Sequence, residues 1–392
     1  MSVAATGPAG ASKIALRPLV GGCTIGLSIS WNIANIGPVA TLLAQRYGTT
    51  LAVIGLLTTT LFFAELAVML PGGRAIDRYG PKRVGVVAVV LSLLPNLALM
   101  VFPSVGAAIV LRGFAGLGVG LGFLAGAIYA QSGATGRAAA LAGGIYGGMA
   151  LGGGGLALAV VPQLVGALQW RAPYASGAAV AALALPILAL CPSTPGHGGS
   201  RTGPGLRALM TDPRLVRLGA ISSVSFAFSV ILGNWVVTLL QRTGGLSRGS
   251  AGAIGSLILI LGIVGRSSGG ILAGAAPRSI RRMLAAGLLA CACGTAVVAL
   301  SLGPVPDIAA TMLIGVTCGL PFGVTVAGAT SAHPQAAGAA VGAMNTYPVL
   351  VIVCGAPLVG LSFNLPGNGR IGFGIMAAVL VAALSLLPGL DL

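Results

Sequence analysis

PGGRAIDRYGPKR, residues 71–83, is the most charged stretch of a 392-residue chain in which charged residues make up only 7%. A soluble domain carries about 25%. Uncharged apolar runs flank it, and a helix needs about 20 such residues to cross a bilayer. The stretch therefore reads as a tight connection between two membrane spans. Gly73 and Gly80 bracket the place where the chain reverses, and Asp77 stands alone among the basic residues Arg74, Arg78, Lys82 and Arg83. A lone carboxylate in such a place accepts hydrogen bonds from helix N-terminal amides or from arginine. Contacts made in one conformation and broken in another would turn the connection into a gate.

Twelve apolar stretches lie along the chain, near 18–44, 50–73, 84–103, 106–130, 138–166, 173–191, 218–240, 250–276, 283–303, 308–330, 337–362 and 370–388. Strands of a membrane barrel would be shorter and would alternate apolar with polar residues. The expected class is an all-α integral membrane protein with twelve transmembrane helices. The 64 glycines lie inside the apolar runs, as in GLGVGLGFLAG and GGMALGGGG, where small residues let membrane helices approach closely.

The formal net charge of +16 would suggest nucleic-acid binding in a soluble chain, but the positions of the charges argue otherwise. With the N-terminus cytoplasmic, fourteen basic residues fall on the inner side and five on the outer, namely Arg46, Arg171, Arg242, Arg248 and Arg370. That follows the positive-inside rule. It places both termini in the cytoplasm of an inner-membrane protein, and residues 1–18 read as a basic leader without a cleavage signature. The six cysteines lie in or at the ends of spans without CxxC spacing, and are read as neither metal ligands nor disulfides. His197 and His333 fall in loops and lack metal-ligand spacing.

Residues 192–217 form the longest polar stretch, a cytoplasmic linker between 1–191 and 218–392, each with six spans. The two halves repeat one another. TLLAQRYG (41–48) matches TLLQRTGG (238–245), and GGRAID (72–77) falls on GGILAG (269–274). AAIVLRG (107–113) pairs with AATMLIG (309–315), and AAALAGGIY (138–146) loosely with AAVGAMNTY (339–347). Four matches in one order at similar shifts support duplication. Six spans repeated in parallel are known from secondary transporters, with substrate held at the repeat interface near the midplane.

Gly73, Asp77, Arg78, Gly80, Lys82 and Arg83, as GxxxDRxGxKR, resemble the signature connection between the second and third spans of the major facilitator superfamily. The resemblance implies two pseudo-symmetric six-helix bundles that carry a solute by alternating access, with those six residues gating. The sequence departs from the usual pattern at Pro81, where a basic residue is common. It departs again at Gly274, where the second-half copy often keeps an acid, which leaves the second gate weaker.

Three ionisable residues fall inside spans, where such groups usually mark a pathway or a partner. Arg112, in VLRGFAGLGVG, is a candidate substrate contact, and it resembles the family's fourth-span RG motif, which implies a role in proton coupling or helix packing; an arginine snorkelling to the outer surface is the simpler reading. Arg266, in LGIVGRSSGGILAG, is a fork suited to a carboxylate or other oxyanion, or else a structural partner of Glu65 or of a backbone carbonyl. Its setting is similar to nitrate/nitrite porters and to monocarboxylate and oxalate porters, which carry an eighth-span arginine for an anionic substrate. The glycine-rich fifth span looks like theirs as well, although the second-span arginine of nitrate porters is missing. Glu65 is the only acid within a span, and is read as a proton carrier or as one member of a fixed ion pair.

Trp31, Asn32 and Asn35 in the first span and Asn234 and Trp235 in the seventh supply amides and indoles suited to orienting and walling a small polar solute. Tyr146, Asn345 and Tyr347, in the matched fifth and eleventh spans, complete the expected substrate set. Each of these residue types also serves as a packing hydrogen bond or an interface anchor. Nucleophile triads, paired carboxylates and phosphate-cradling loops are missing from the sequence, so neither an enzyme nor an ATP-driven pump is expected, and no cofactor or metal. The expected protein is a monomeric carrier of a small solute, with an anion favoured, working with a proton or ion gradient among membrane lipids and without nucleic acid. A proton-coupled exporter of drugs or amphipathic metabolites is the alternative, and a non-transporting sensor or scaffold on the same fold a further one.

Overall fold

A computed structural model describes residues 14–135, 138–194, 205–246, 248–275 and 279–388. Nearly all of them are helical, because a backbone in hydrocarbon must satisfy its own polar groups. The first span is α1 (Leu16–Ala34) and α2 (Ala40–Tyr47), joined by a 3₁₀ turn at Gly37–Val39. Then come α3 (Leu51–Tyr79), α4 (Pro81–Val101), α5 (Val105–Gln131), α6 (Ala138–Leu168) and α7 (Ala172–Leu190). A short α8 (Leu206–Thr211) leads into the seventh span, α9 (Pro213–Ser225) with α10 (Ala227–Gly244). α11 (Arg248–Ala275) and α12 (Ile280–Leu300) follow, then a divided tenth span, α13 (Pro304–Gly319) with α14 (Phe322–Ala332). α15 (Ala337–Ser362) and α16 (Arg370–Ala382) close the set.

Ten helical runs among the described residues are long and apolar enough to span a bilayer. One of them, Ala138–Leu190, contains two spans that turn at Gln169–Arg171, and the shorter Arg370–Leu386 supplies the twelfth. Three spans expected to be continuous are broken, at Ile36, at Phe226 and at Leu320–Pro321. The expected loop over 74–83 is also corrected: α3 runs to Tyr79 and α4 starts at Pro81, so Gly80 alone makes the reversal. Its φ of +87° is the reason a glycine is needed there.

The helices form two six-helix bundles. In the first, α1 packs on α5, α6 and α7, while α5 packs on α3 and α4. In the second, α13 lies against α11 and α12, α15 against α9, and α16 against α12. The bundles meet along two seams, α3 with α15, and α6 with α11 and α14.

The repeat seen in sequence recurs in three dimensions. Arg46, in TLLAQRYG, sits 4.9 Å from the ring centre of Trp170 in the turn after the fifth span. Arg242, in TLLQRTGG, sits 5.6 Å from Phe363 after the eleventh, and also donates to the Phe363 carbonyl at 3.2 Å.

The last turn of α7 and the helix α8 mark one end of the molecule. There Lys82 donates to the carbonyls of Cys191 and Ala189, Tyr129 to that of Pro192, and Tyr347 to that of Met210. This is the linker end of the molecule.

Candidate functional site

At the linker end the bundles are shut. Gly73 in α3 lies so close to α15 that a Cβ there would run into the Gly338 carbonyl. That approach brings Asp77 onto the start of α15, where Oδ1 accepts from the Gly338 amide at 2.6 Å and Oδ2 from the Ala339 amide at 2.9 Å. Helix N-terminal amides lack intrahelical partners and carry positive partial charge, so a carboxylate from the opposite bundle satisfies both needs. The other members of the motif act within their own bundle. Lys82 holds the end of α7, and the exposed Arg78 lies over Tyr79 at 5.2 Å. Arg83 is exposed.

Away from that closure the bundles part around a cavity of about 680 Å³ that runs toward the opposite end. Its walls come from both bundles, with Ser30, Thr58, Phe62 and Phe123 on one side and Phe226, Val230 and Ser256 on the other. Among the described residues lining it, Arg266 is the only ionisable one. The side chain is 1% exposed and closes the inner end of the cavity.

Two helix breaks and a group of phenylalanines hold this arginine. Nη1 donates to the Gly147 carbonyl of α6 at 3.0 Å, a contact between bundles, and Nη2 to the Ser225 carbonyl at the α9–α10 break at 3.5 Å. Nε has no hydrogen-bond partner. The guanidinium carbon lies 4.6 Å from the Phe322 ring centre and 5.9 Å from Phe226. Phe123 stacks on Phe226 at 5.1 Å and meets Phe322 edge-on at 5.9 Å, giving an aromatic floor under the cation. A guanidinium held by carbonyls and ring faces, without a carboxylate, keeps its charge available to a ligand.

The other expected site residues are dispersed. Trp31, Asn32, Asn35 and Arg112 form a buried network inside the first bundle. Arg112 donates to the Asn32 carbonyl at 2.6 Å and to Asn35 Oδ1 at 3.4 Å. Asn35 donates to the Pro173 carbonyl at 3.0 Å, Asn96 to Asn32 Oδ1 at 2.7 Å, and Trp31 to Ser176 Oγ at 3.0 Å. In this conformation the network ties α1 to α4, α5 and α7, and does not line the cavity, because its hydrogen bonds are made within the bundle. Arg112 is 1% exposed and so does not snorkel to the surface.

Tyr146 is buried beneath the floor and donates to the Phe123 carbonyl at 2.7 Å. Trp235 donates to the Ala356 carbonyl at 2.8 Å and lines a side cavity of about 390 Å³ between α3, α10 and α15. Asn345 donates to Val341 of its own helix at 3.1 Å, leaving Oδ1 without a partner. Tyr347 is taken up at the linker end. The side chain of Asn234 lies outside the described residues.

Glu65 is fully buried, and neither carboxyl oxygen has a hydrogen-bond partner. The only ion pair among the described residues joins His333 to Asp212 at 2.7 Å. The alternative of a fixed pair between Glu65 and an arginine is therefore not realised in this conformation.

Phe123, Phe226 and Phe322 were not among the expected site residues. The signal that would have found them is weak: each lies in a stretch rich in small residues, GFLAG, SFAFS and PFGVT.

The superfamily model of the Major Facilitator Superfamily matches residues 22–356. The chain belongs to the major facilitator superfamily. Solved members share its fold across nearly the full length. FucP, an E. coli fucose:proton symporter, in its outward conformation has 14% identity and a TM-score of 0.74, covering 95% of this chain and 98% of that one. A proton:xylose symporter bound to 6-bromo-6-deoxy-D-glucose has 15% identity and a TM-score of 0.76, covering 95% of each chain. The human organic anion transporter MFSD10 has 15% identity and a TM-score of 0.76, covering 95% of this chain and 99% of that one. A search of curated protein sequences returns no match. The chain is thus an integral membrane protein of a transporter family, and at these identities the likeness shows the fold alone.

Proposed function

We propose that this transporter carries a small organic anion with an apolar body, binding it in the outward-facing conformation on Arg266. The observation that carries the reading is a single buried cation at the inner end of an otherwise apolar and aromatic cavity. One positive charge without a neighbouring acid favours an anion electrostatically. A cavity of about 680 Å³ leaves most of its space unfilled around an inorganic anion such as nitrate, whereas Phe62, Phe123 and Phe226 suit an apolar body. The hydroxyls of Ser30, Thr58 and Ser256 are few for a sugar, which needs a partner for each of its hydroxyls.

In this reading the linker end is cytoplasmic, and the Asp77 contact holds that end shut while solute enters from outside. Glu65 carries the coupled proton. Arg266 bridges both bundles through Gly147, so engagement of its guanidinium by a substrate carboxylate competes with that bridge and loosens the seam between α6 and α11. The apolar lining also accommodates an amphipathic drug or metabolite, which keeps the exporter as the second reading.

The test is thermal stabilisation of the purified protein by a panel of organic carboxylates, inorganic anions and cationic amphiphiles, with Arg266→Ala beside the wild type. Binding adds RT ln(1 + [L]/Kd) to stability. Stabilisation by a carboxylate that disappears in Arg266→Ala supports the proposal. Stabilisation by cations alone, unchanged in the variant, overturns it.

A further inference from the structure

We infer that a second anion site, selective for phosphate-type oxyanions, lies at the end opposite the linker, built on Trp170 between Arg46 and Arg171. The Arg46 guanidinium carbon lies 4.9 Å from the Trp170 ring centre and that of Arg171 lies 4.7 Å from it, so two like charges share one indole. Neither has an ion-pair partner among the described residues, where the only pair is His333 with Asp212. The ring itself is 7% exposed, and so is fixed rather than a passing surface contact.

A groove of about 470 Å³ opens beside the ring, with Gln45 and Gln169 contributing amides and Leu42 and Val165 an apolar wall. Gln169 adopts φ of +51°, a conformation costly for a residue other than glycine and one that tends to persist at binding sites. In the groove the Arg46 fork and the Gln45 and Gln169 amides, and on the same indole the Arg171 fork, supply donors suited to the several acceptor oxygens of a phosphate.

The other half of the repeat differs here. Arg242, the counterpart of Arg46, is satisfied by the carbonyl of the aromatic residue it covers, Phe363. Arg46 has the ring and a second arginine over it, and no such acceptor among the described residues. The groove adjoins the mouth of the central cavity, since Pro38 and Leu158 line the cavity and Leu42 and Val165, farther along the same two spans, line the groove. It contains none of the central site's residues, and the inference does not depend on the substrate proposed above.

A phosphate monoester in solution and the phosphodiester of a lipid headgroup share this chemistry, and two arms of one experiment distinguish them. The full chain in phosphatidylcholine nanodiscs is titrated with inorganic phosphate by calorimetry. In parallel, retention of phosphatidylglycerol on the detergent-released protein is measured by native mass spectrometry. Wild type is compared with Arg46→Gln, Arg171→Gln and Arg266→Gln. Arg46, which lines the groove, and Arg171, which lies over Trp170, are both exposed, so their variants should fold.

The expected result is that one of the two probes binds, that affinity or retention falls about tenfold in Arg46→Gln and in Arg171→Gln, as loss of one charge-assisted contact implies, and that it is unchanged in Arg266→Gln. Phosphate binding identifies a free solute, and phosphatidylglycerol retention identifies a lipid. Binding of neither probe, or binding insensitive to Arg46→Gln and Arg171→Gln, overturns the inference.

Discussion

Asp77 in α3 accepts the amide of Gly338 at 2.6 Å, and thereby caps a helix that belongs to the other bundle. The contact spans the two bundles at the closed linker end. Hydrogen bonds to a charged group contribute roughly 1.5–3 kcal/mol each. Asp77→Asn keeps the shape but loses the charge and one acceptor, so the closed population should fall by about tenfold or more. Spin labels on the linker-end tips of α3 and α15 measure this directly. The expected outcome is a second, longer distance in the variant; an unchanged distribution would show that the seam closes without the carboxylate.

Much of this was legible beforehand, for a physical reason. Apolar run length reports burial in a bilayer, and the Gly73-to-Arg83 spacing specified a reversal with one acid in it. The break at Phe226 was not legible, because that residue sits in a run as apolar as its neighbours, whereas the breaks at Ile36 and Leu320 lie beside Pro38 and Pro321, a local signal that run length alone passes over. Polar residues of the first span posed a different difficulty. Sequence shows that Trp31, Asn32 and Asn35 need partners, but not whether these come from α4, α5 and α7 or from a solute. The aromatic floor brings together Phe123, Phe226 and Phe322 from three distant segments, and a single sequence does not reveal such a convergence. Arg266 stood out because a lone cation in a span is costly wherever it points.

Gly73 offers an independent handle on the same closure. A side chain at this position meets the Gly338 carbonyl, so Gly73→Val should hold the seam open at the linker end while leaving the separate cores of the two bundles intact. The expected phenotype is normal expression and monodispersity with loss of the Arg266-dependent ligand stabilisation, since the cavity described here requires that seam shut. Full retention of ligand stabilisation would mean that α3 and α15 can slide past the added methyl groups.

Glu65 should separate coupling from movement. Glutamine preserves its shape and cannot release a proton, so Glu65→Gln in proteoliposomes is expected to exchange substrate across the membrane when both sides are at equal pH. An imposed pH gradient should no longer drive accumulation. Accumulation that survives the substitution would remove Glu65 as the proton carrier; loss of exchange as well would assign it a structural part in the packing of α3 on α5.

The Asp212–His333 pair gives a pH prediction at the surface of the linker end. Burial tends to raise the Asp212 carboxyl, but the His333 hydrogen bond at 2.7 Å, the amides of Arg214 and Leu215 and the charge of His333 outweigh it, and the net shift is below the ordinary value of 3.8. A group with a depressed folded value adds stability that is present above its unfolded value and disappears as pH falls through the folded one. The contribution of Asp212 should therefore be complete at neutral pH and lost only below about pH 3.8. Asp212→Asn should lower the melting temperature at pH 7, and the difference from wild type should shrink as the pH is taken below that value. Both side chains are partly exposed, so high salt should narrow the gap at pH 7 as well. A difference that is constant across pH would overturn the assignment to the Asp212 charge, and the cap on α9 through the Arg214 amide does not account for it, because asparagine fills that role nearly as well.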